Sequence, residues 1–296
     1  MDAFYLLFTE PAWFYTTVII LGLIVGSFLN VVIHRLPVML KSQWSKDCKL
    51  FLAENGDLKL EQDVTREEPV FNMLRPRSRC PQCGTQIKAW ENIPVISYLL
   101  LRGKCSRCSA PISIRYPIVE ILSALMALVV AIHFGPGWQA VLAILLSWAL
   151  ICLSYIDYDH QYLPDNITLP FLWLGLLVNL NGLFTDIGSA VIGSMAGYLI
   201  LWSIYKIFKT VTGKEGMGYG DFKLLAMAGA WLGWQVLPAI ILMSSVVGAL
   251  FGISMILFRR HDKSKPIPFG PYLAIATWIA LLWGQQINNA YLNWIS

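Results

Sequence analysis

The chain has 296 residues, 56% of them hydrophobic and only 14% charged, with a net charge of +4 at pH 7 and a mean hydropathy of +0.59. So few charges across so much apolar sequence exclude an ordinary soluble domain and point to a polytopic membrane protein. The small positive excess follows the loops on one side of the predicted spans, so it reads as a topology signal and excludes nucleic-acid binding.

The first apolar run, Phe14 to Ile33, is long enough to cross about 30 Å of hydrocarbon as a helix. It is preceded by Asp2 and Glu10 with no Lys or Arg, and no small-residue cleavage site stands before His34-Arg35. It therefore reads as an uncleaved first span and not as a signal peptide. Residues 34–116 form the one polar segment large enough to be a small domain. Its first part, Lys41 to Glu68, has mixed charge and little periodicity, which predicts a loop with a hairpin around Asn55-Gly56-Asp57. Further spans are predicted at about 117–134, 138–156, 166–182 and 187–208. The apolar region 222–258 is too long for one crossing and divides at Trp234-Gln235, its first half being short, and a last span falls near 268–284. The expected architecture is an all-α membrane protein of about eight spans, with a small cytoplasmic zinc-binding domain between the first and second. Three segments result: 1–33, an external N-terminus with the first helix; 34–116, the cysteine domain; and 117–296, the membrane-embedded domain.

With the N-terminus outside, the external segments contain no Lys or Arg, and all 22 basic side chains fall in cytoplasmic segments or their edges. That asymmetry follows the positive-inside rule. It also places Asp157 and Asp221, each preceded by an odd number of spans, on the cytoplasmic side.

Within 34–116, Cys80-Pro-Gln-Cys83 and Cys105-Ser-Arg-Cys108 are two CxxC knuckles. Two tight turns that each supply two sulfurs can hold a soft tetrahedral ion with little chain. Disulfides, redox thiols or an iron-sulfur centre are the competing readings; the reducing compartment and the want of an apolar core favour structural zinc. Cys48 reads as a loop thiol and Cys152 as a buried apolar residue of a span. Trp90 to Gly103 is either a packing face of the cysteine domain or a segment lying on the membrane.

Asp157 and Asp221 are the strongest catalytic candidates. Each puts a carboxylate at a membrane boundary, where an ionisable group is costly unless used or paired. Two aspartates suffice for amide hydrolysis when one ionised carboxylate takes a proton from water and the other, protonated, polarises the carbonyl. Gly216, Gly218 and Gly220 free the backbone before Asp221, and Pro164 restricts it after Asp157. The plainer reading of either residue is a helix cap. Asp165, directly before a span, is well placed as one, and Asp159 faces water. Local spacing does not choose Asp157 over Asp159.

The order of motifs does choose. Gly26-Ser-Phe-Leu-Asn30 through His34-Arg35-Leu-Pro37, the two CxxC pairs, Asn92-Ile-Pro94 with Leu101-Arg102-Gly103, Arg115-Tyr116-Pro117 with Glu120, Ile156-Asp157 with Leu163-Pro164-Asp165, and Gly218-Tyr-Gly220-Asp221 run along nearly the whole chain. In that order they closely resemble the bacterial prepilin leader peptidase and N-methyltransferase family, inner-membrane aspartyl enzymes of the GxGD type. The resemblance implies Asp157 and Asp221 as the catalytic pair, prepilins of type IV pili or pseudopilins of type II secretion as substrates, and the lipid bilayer as surroundings. It also implies S-adenosylmethionine as methyl donor for the new N-terminal amine. Relatives without the cysteine segment are thought to cleave without methylating, so all four cysteines favour both activities. Nothing in the residues themselves shows the methyl-donor site; Gly26 to Pro37, Asn92 to Gly103 and Glu120 are the segments to inspect first. Two other classes compete: an ion or solute transporter, which would place carboxylates near the midplane of broken helices, and a zinc-bearing assembly factor in which the aspartates are caps.

Overall fold

The computed structural model describes residues 11–55, 71–257 and 268–295. The first helix, α1, runs from Pro11 to Glu54 without a break, at about 1.5 Å per residue roughly twice the length needed for one crossing. The expected loop from Lys41 is therefore helix as far as Glu54, and Cys48 is an exposed helical residue and not a loop thiol. Lys41 to Glu54 lacks an apolar face, which hid it from a reading based on periodicity, yet it holds no Pro or Gly to stop a helix already nucleated upstream. The hairpin expected at Asn55-Gly56-Asp57 lies outside the described residues.

The chain then forms a 3-10 turn at Ala89–Asn92, α2 at Ile96–Leu100, α3 at Arg115–Phe134, α4 at Trp138–His160, α5 at Asp165–Asn179 and α6 at Ile187–Thr212. A short α7, Tyr219–Leu232, leads through a 3-10 turn at Trp234–Val236 into α8, Leu237–Leu257, and α9 spans Gly270–Ile295. The break expected at Trp234-Gln235 is that 3-10 turn. The last helix is longer than the predicted span: it bends at Trp283, where φ is −125° and ψ 15°, and continues to Ile295. The only strand pairing among the described residues is two isolated bridges, Arg79 with Gln86 and Lys104 with Pro111. Five helices among the described residues, α1, α3, α4, α6 and α8, are long and apolar enough to cross a membrane. The protein is thus a polytopic, largely α-helical membrane protein.

Packing divides the described residues into two units, those within 17–125 and those within 126–295 together with 11–16. In the first, α1 and α3 meet backbone to backbone. A Cβ at Gly22 would stand 2.6 Å from Ala124 Cα, and one at Gly26 would stand 2.7 Å from Glu120 Cα. Polar groups tie the same seam: Ser123 donates to Gly22 O, and Asn30 donates to Tyr116 O.

In the second unit α7 is the central element, packed by α6, α5 and α9. Its 14 residues reach only about 21 Å, too short to cross hydrocarbon alone, and every side chain from Phe222 to Trp231 except Lys223 is buried. Ala226, Ala228, Gly229 and Ala230 keep its surface low enough for neighbouring backbones to touch, as small residues do between membrane helices. A Cβ on Gly193 of α6 would fall 2.6 Å from Gly229 O and 2.8 Å from Trp234 N. Gly193→Ala is therefore expected to cost about 2 kcal/mol of overpacking and lower the thermal midpoint of the purified protein by several degrees; an unchanged midpoint would show that the seam yields. At its far end, Asn179 caps α7 by donating to Ala230 O and Trp231 O at 2.9 Å each, while its Oδ1 accepts from Phe184 N and Thr185 N. This buried amide is fully used, as a polar group in such a place must be.

Candidate active site and metal centre

Asp157 lies in the last turn of α4 and Asp221 in the first turn of α7, and both are buried. α4 stops because Gln161 takes a left-handed conformation, φ 57°, and donates its N–H to Asp157 O at 2.8 Å. α7 starts at Gly218, whose carbonyl accepts from Asp221 N at 3.2 Å. Two contacts then join the chain after Asp157 to the chain around Asp221. A Cβ at Gly220 would press to 2.8 Å of Leu163 Cβ, so only glycine allows the approach. Lys223 Nζ meets both oxygens of Asp165 at 2.7 and 2.8 Å. The cap expected at Asp165 is thus absent. Pro164 occupies the N-cap position, and the Asp165 carboxylate spans to α7 instead, a contact of three-dimensional origin. Asp159 is exposed, as expected.

These joints hold the end of α4, with Asp157, against the start of α7, with Asp221. A third group completes the site. Gly270, the first residue of α9, donates its N–H to Asp157 Oδ2 at 3.0 Å, and a Cβ there would lie 2.6 Å from that oxygen. The sequence reading missed Gly270. The available signal was Pro268-Phe269-Gly270-Pro271, a glycine between prolines at the mouth of an apolar run, which marks a tight entry to a helix. Asp221 Oδ1, by contrast, is buried with no hydrogen-bond partner among the described residues. The two carboxylates are therefore unequal: one is oriented by a main-chain donor, and the other has a buried oxygen with no partner among the described residues.

A cavity of about 510 Å³ lies at the opposite end of this unit, among His133, Gln139, Thr185, Gln235 and Gln285. Its lining holds no carboxylate, and it is remote in chemistry from the aspartate pair.

In the first unit the two CxxC knuckles are built alike. Cys80 N donates to Thr85 O and Gly84 N to Cys80 O; Cys105 N donates to Ala110 O and Ser109 N to Cys105 O. Each knuckle turns on a left-handed residue, Gly84 at φ 66° and Ser109 at φ 57°. The four Sγ atoms lie within 4.8 Å of one another, with Cys80 to Cys108 at 3.8 Å and Cys83 to Cys105 at 4.0 Å. A tetrahedral ion with metal–sulfur bonds of about 2.3 Å sets its sulfurs roughly 3.8 Å apart, so the donor set fits a four-thiolate metal site. All six cysteines are free thiols, which argues against the disulfide alternative. The Thr85 side chain, 3.3 Å from Cys83 Sγ, together with the Thr85 N–H lowers that thiol to about 6, while at Cys108, against a main-chain hydrogen bond from Ala110, desolvation and the neighbouring thiols push the thiol up, so the four sulfurs share their protons as one group. Arg35 of α1, buried, anchors the start of this segment by donating to Asn72 O at 2.9 Å and Pro76 O at 2.6 Å.

The segments singled out for a methyl donor converge in the same unit. Glu120 Oε2 accepts from Val95 N at 2.8 Å, and Asn30 donates to Gly26 O and Tyr116 O. The backbone contacts at Gly22 and Gly26 bring α1 and α3 together, so Gly26, Asn30 and Glu120 form a packed joint. No step of methyl transfer is assigned to it.

Taken together, these features define a polytopic helical membrane protein with a buried aspartate pair in one unit and a four-cysteine metal cluster in the other. The model of the bacterial peptidase A24 N-terminal domain matches residues 20–134, and that of the type IV leader peptidase family matches residues 144–253. A prepilin leader peptidase/N-methyltransferase of Aeromonas hydrophila is 56% identical over 283 residues, covering 96% of this chain and 95% of the relative. One from Pseudomonas aeruginosa is 53% identical over 285 residues, 96% of each chain, and one from Neisseria gonorrhoeae is 46% identical over 275 residues, 93% of this chain and 92% of the relative. No solved structure matches the chain. The chain belongs to the prepilin leader peptidase/N-methyltransferase family.

Proposed function

We propose that the protein is a bifunctional inner-membrane enzyme that cleaves the leader from prepilins or pseudopilins at Asp157 and Asp221 and then N-methylates the exposed amine. The observation that carries the peptidase reading is the buried pair joined through Leu163–Gly220 and Asp165–Lys223, with Gly270 N–H on one member. A hydrogen bond donated to a carboxylate favours its charged form, so Asp157 acts as the base and Asp221 carries the shared proton. In the first step a water between them attacks the scissile carbonyl carbon, its proton passing to Asp157 while Asp221 delivers its own proton to the carbonyl oxygen. In the second, the carbon–nitrogen bond breaks as the proton on Asp157 moves to the leaving amine and the hydroxyl proton of the intermediate returns to Asp221. A transporter would place its carboxylates along a route near the midplane, whereas these stand at the end of α4 and the start of α7, which meet.

The topology supports the same reading. Adding α5, α7 and α9 to the five long helices of the described residues gives this reading its eight membrane segments, and the distribution of the basic residues favours the aspartates at the cytoplasmic face. There a basic leader remains in water while the apolar helix of the substrate stays in the bilayer. Four thiolates in tetrahedral spacing suit zinc, and a closed set of four protein ligands makes it structural. S-adenosylmethionine, when bound, supplies a methyl group on a sulfonium to the neutral N-terminal amine. The three sequence segments, 1–33, 34–116 and 117–296, then correspond to anchor, metal-bearing region and peptidase core.

The test is cleavage of a membrane-embedded prepilin by the purified protein, with the mass of the new N-terminus recorded with and without S-adenosylmethionine. Loss of the leader and gain of one methyl group are expected; an intact prepilin would overturn the reading. Gly270→Ala, which forces a methyl against Asp157 Oδ2, is expected to lower the cleavage rate about 10²-fold by displacing the carboxylate. Undiminished cleavage by that variant would remove Gly270 from the site.

A further inference from the structure

Among the described residues, nothing covers the apolar face of the stretch from Trp90 to Leu101. Leu99 and Leu100 of α2 are 67% and 73% exposed, and Trp90, Ile93 and Ile96 are exposed beside them. A cluster of this kind on a water-bathed domain would be a liability, and its size marks a surface that meets another phase or molecule. Its depth says which. Val95, the residue that opens α2, donates its N–H to Glu120, and Glu120 lies five residues, or about 7 Å, inside α3 from Arg115, where that helix enters its apolar run. Gly26 of α1, two helical turns before His34-Arg35, packs against the same Glu120. Val95 is therefore level with the interior of two membrane helices, inward of the basic residues that mark their boundary.

Glu120 makes this placement possible. Val95 holds a left-handed φ of 58°, costly for a β-branched residue, and a bare main-chain donor at that depth would be costlier still. The carboxylate satisfies the donor and fixes the turn, so α2 leaves the joint with its apolar side chains turned outward. Charge agrees with this placement. From Phe71 to Tyr116 eight Lys and Arg stand against one acid, Glu91, and Lys88, Arg102 and Lys104 flank the apolar stretch directly. Basic flanks around an apolar, Trp-bearing segment are the composition of an interfacial anchor on anionic lipid.

We propose that Trp90 to Leu101 is a membrane wedge: it lies in the leaflet at the Arg115 end of α3, covered by phospholipid chains with its basic flanks among the headgroups. The metal knuckles would then be held at the bilayer surface by three attachments, α1, α3 and this wedge, instead of projecting from it. The inference rests on α1 and α3 as membrane spans and is independent of the catalytic reading.

The test places a benzophenone side chain at three positions of the full-length protein, purified into nanodiscs of phosphatidylethanolamine and phosphatidylglycerol. Leu99→p-benzoylphenylalanine and Leu100→p-benzoylphenylalanine are compared with the same substitution at Gln82, an exposed knuckle residue. After irradiation, phospholipid adducts are expected at positions 99 and 100 in at least fivefold excess over position 82. Equal yields at all three positions, or none at 99 and 100, would overturn the proposal. So would adducts from position 99 that move from lipid to a co-embedded prepilin, since the face would then bind substrate. Prepilin cleavage measured on the same samples reports the catalytic reading separately, because an inactive protein can still give lipid adducts and an active one can fail to.

Discussion

Asp157→Asn and Asp221→Asn are each expected to lower prepilin cleavage on the order of 10³-fold or more, with the double variant little worse than either single one. The reason is that each step uses both carboxylates: removing the base leaves water unactivated, and removing the acid leaves the carbonyl unpolarised. Groups that act as one unit give such non-additive losses. The fold should not suffer. An asparagine at position 157 still offers an oxygen to Gly270 N–H, and Asp221 Oδ1 has no hydrogen bond to lose among the described residues. Both variants are thus expected to melt no lower than the parent, since two buried acids set together for chemistry are a source of strain that the neutral amides relieve. Rates and thermal midpoints on the same preparations check this. A variant that cleaves within tenfold of the parent would make that aspartate structural; a variant that loses activity only as it unfolds would leave the pair without a catalytic role.

Much of this site is legible along the chain because its parts are local. A carboxylate at the end of an apolar run, glycines before another, and cysteines three apart in two pairs each leave a mark within a few residues. What joins them does not. Asp165 next to a helix start reads as a cap, and only the fold brings Lys223, 58 residues on, to take its carboxylate. The requirement for glycine at 220 comes from Leu163, and at 270 from Asp157, neither of which is near in sequence. Most helix boundaries of the second unit were predictable because apolar runs in lipid must satisfy their backbone internally, the exception being the end of α9, which continues beyond its apolar run to Ile295. The same logic fails for Lys41 to Glu54, where no apolar face reports the helix and only continuity with α1 sustains it. For Trp90 to Gly103 the sequence leaves packing and membrane equally open, because what bears on its depth is the Val95–Glu120 bond, between residues 25 apart.

Stripping the metal from the cysteine cluster is expected to unfold the segment from Phe71 to Ile114 while leaving the aspartate site assembled. Between those residues only Cys80 and Ala110 are buried, so there is almost no apolar core to hold the knuckles closed. A structural four-thiolate ion contributes about 10 kcal/mol or more to folding, far beyond what a handful of turn hydrogen bonds supply. A strong chelator, or Cys80→Ser with Cys105→Ser, should therefore release one equivalent of metal and raise amide exchange across this segment to that of an open chain. Exchange near Val95 should rise last, because Glu120 holds it from α3 independently of the sulfurs. The contacts that assemble the peptidase site, Gly270 with Asp157, Gly220 with Leu163 and Lys223 with Asp165, all lie within the other unit. Cleavage is accordingly expected to stay within about tenfold of the parent rate, a change near 1.4 kcal/mol in the barrier, while methylation is lost. Loss of both activities at equal metal content would show that the knuckles hold the substrate for cleavage as well. Retention of methylation after the metal has gone would separate the cysteine cluster from the transferase altogether.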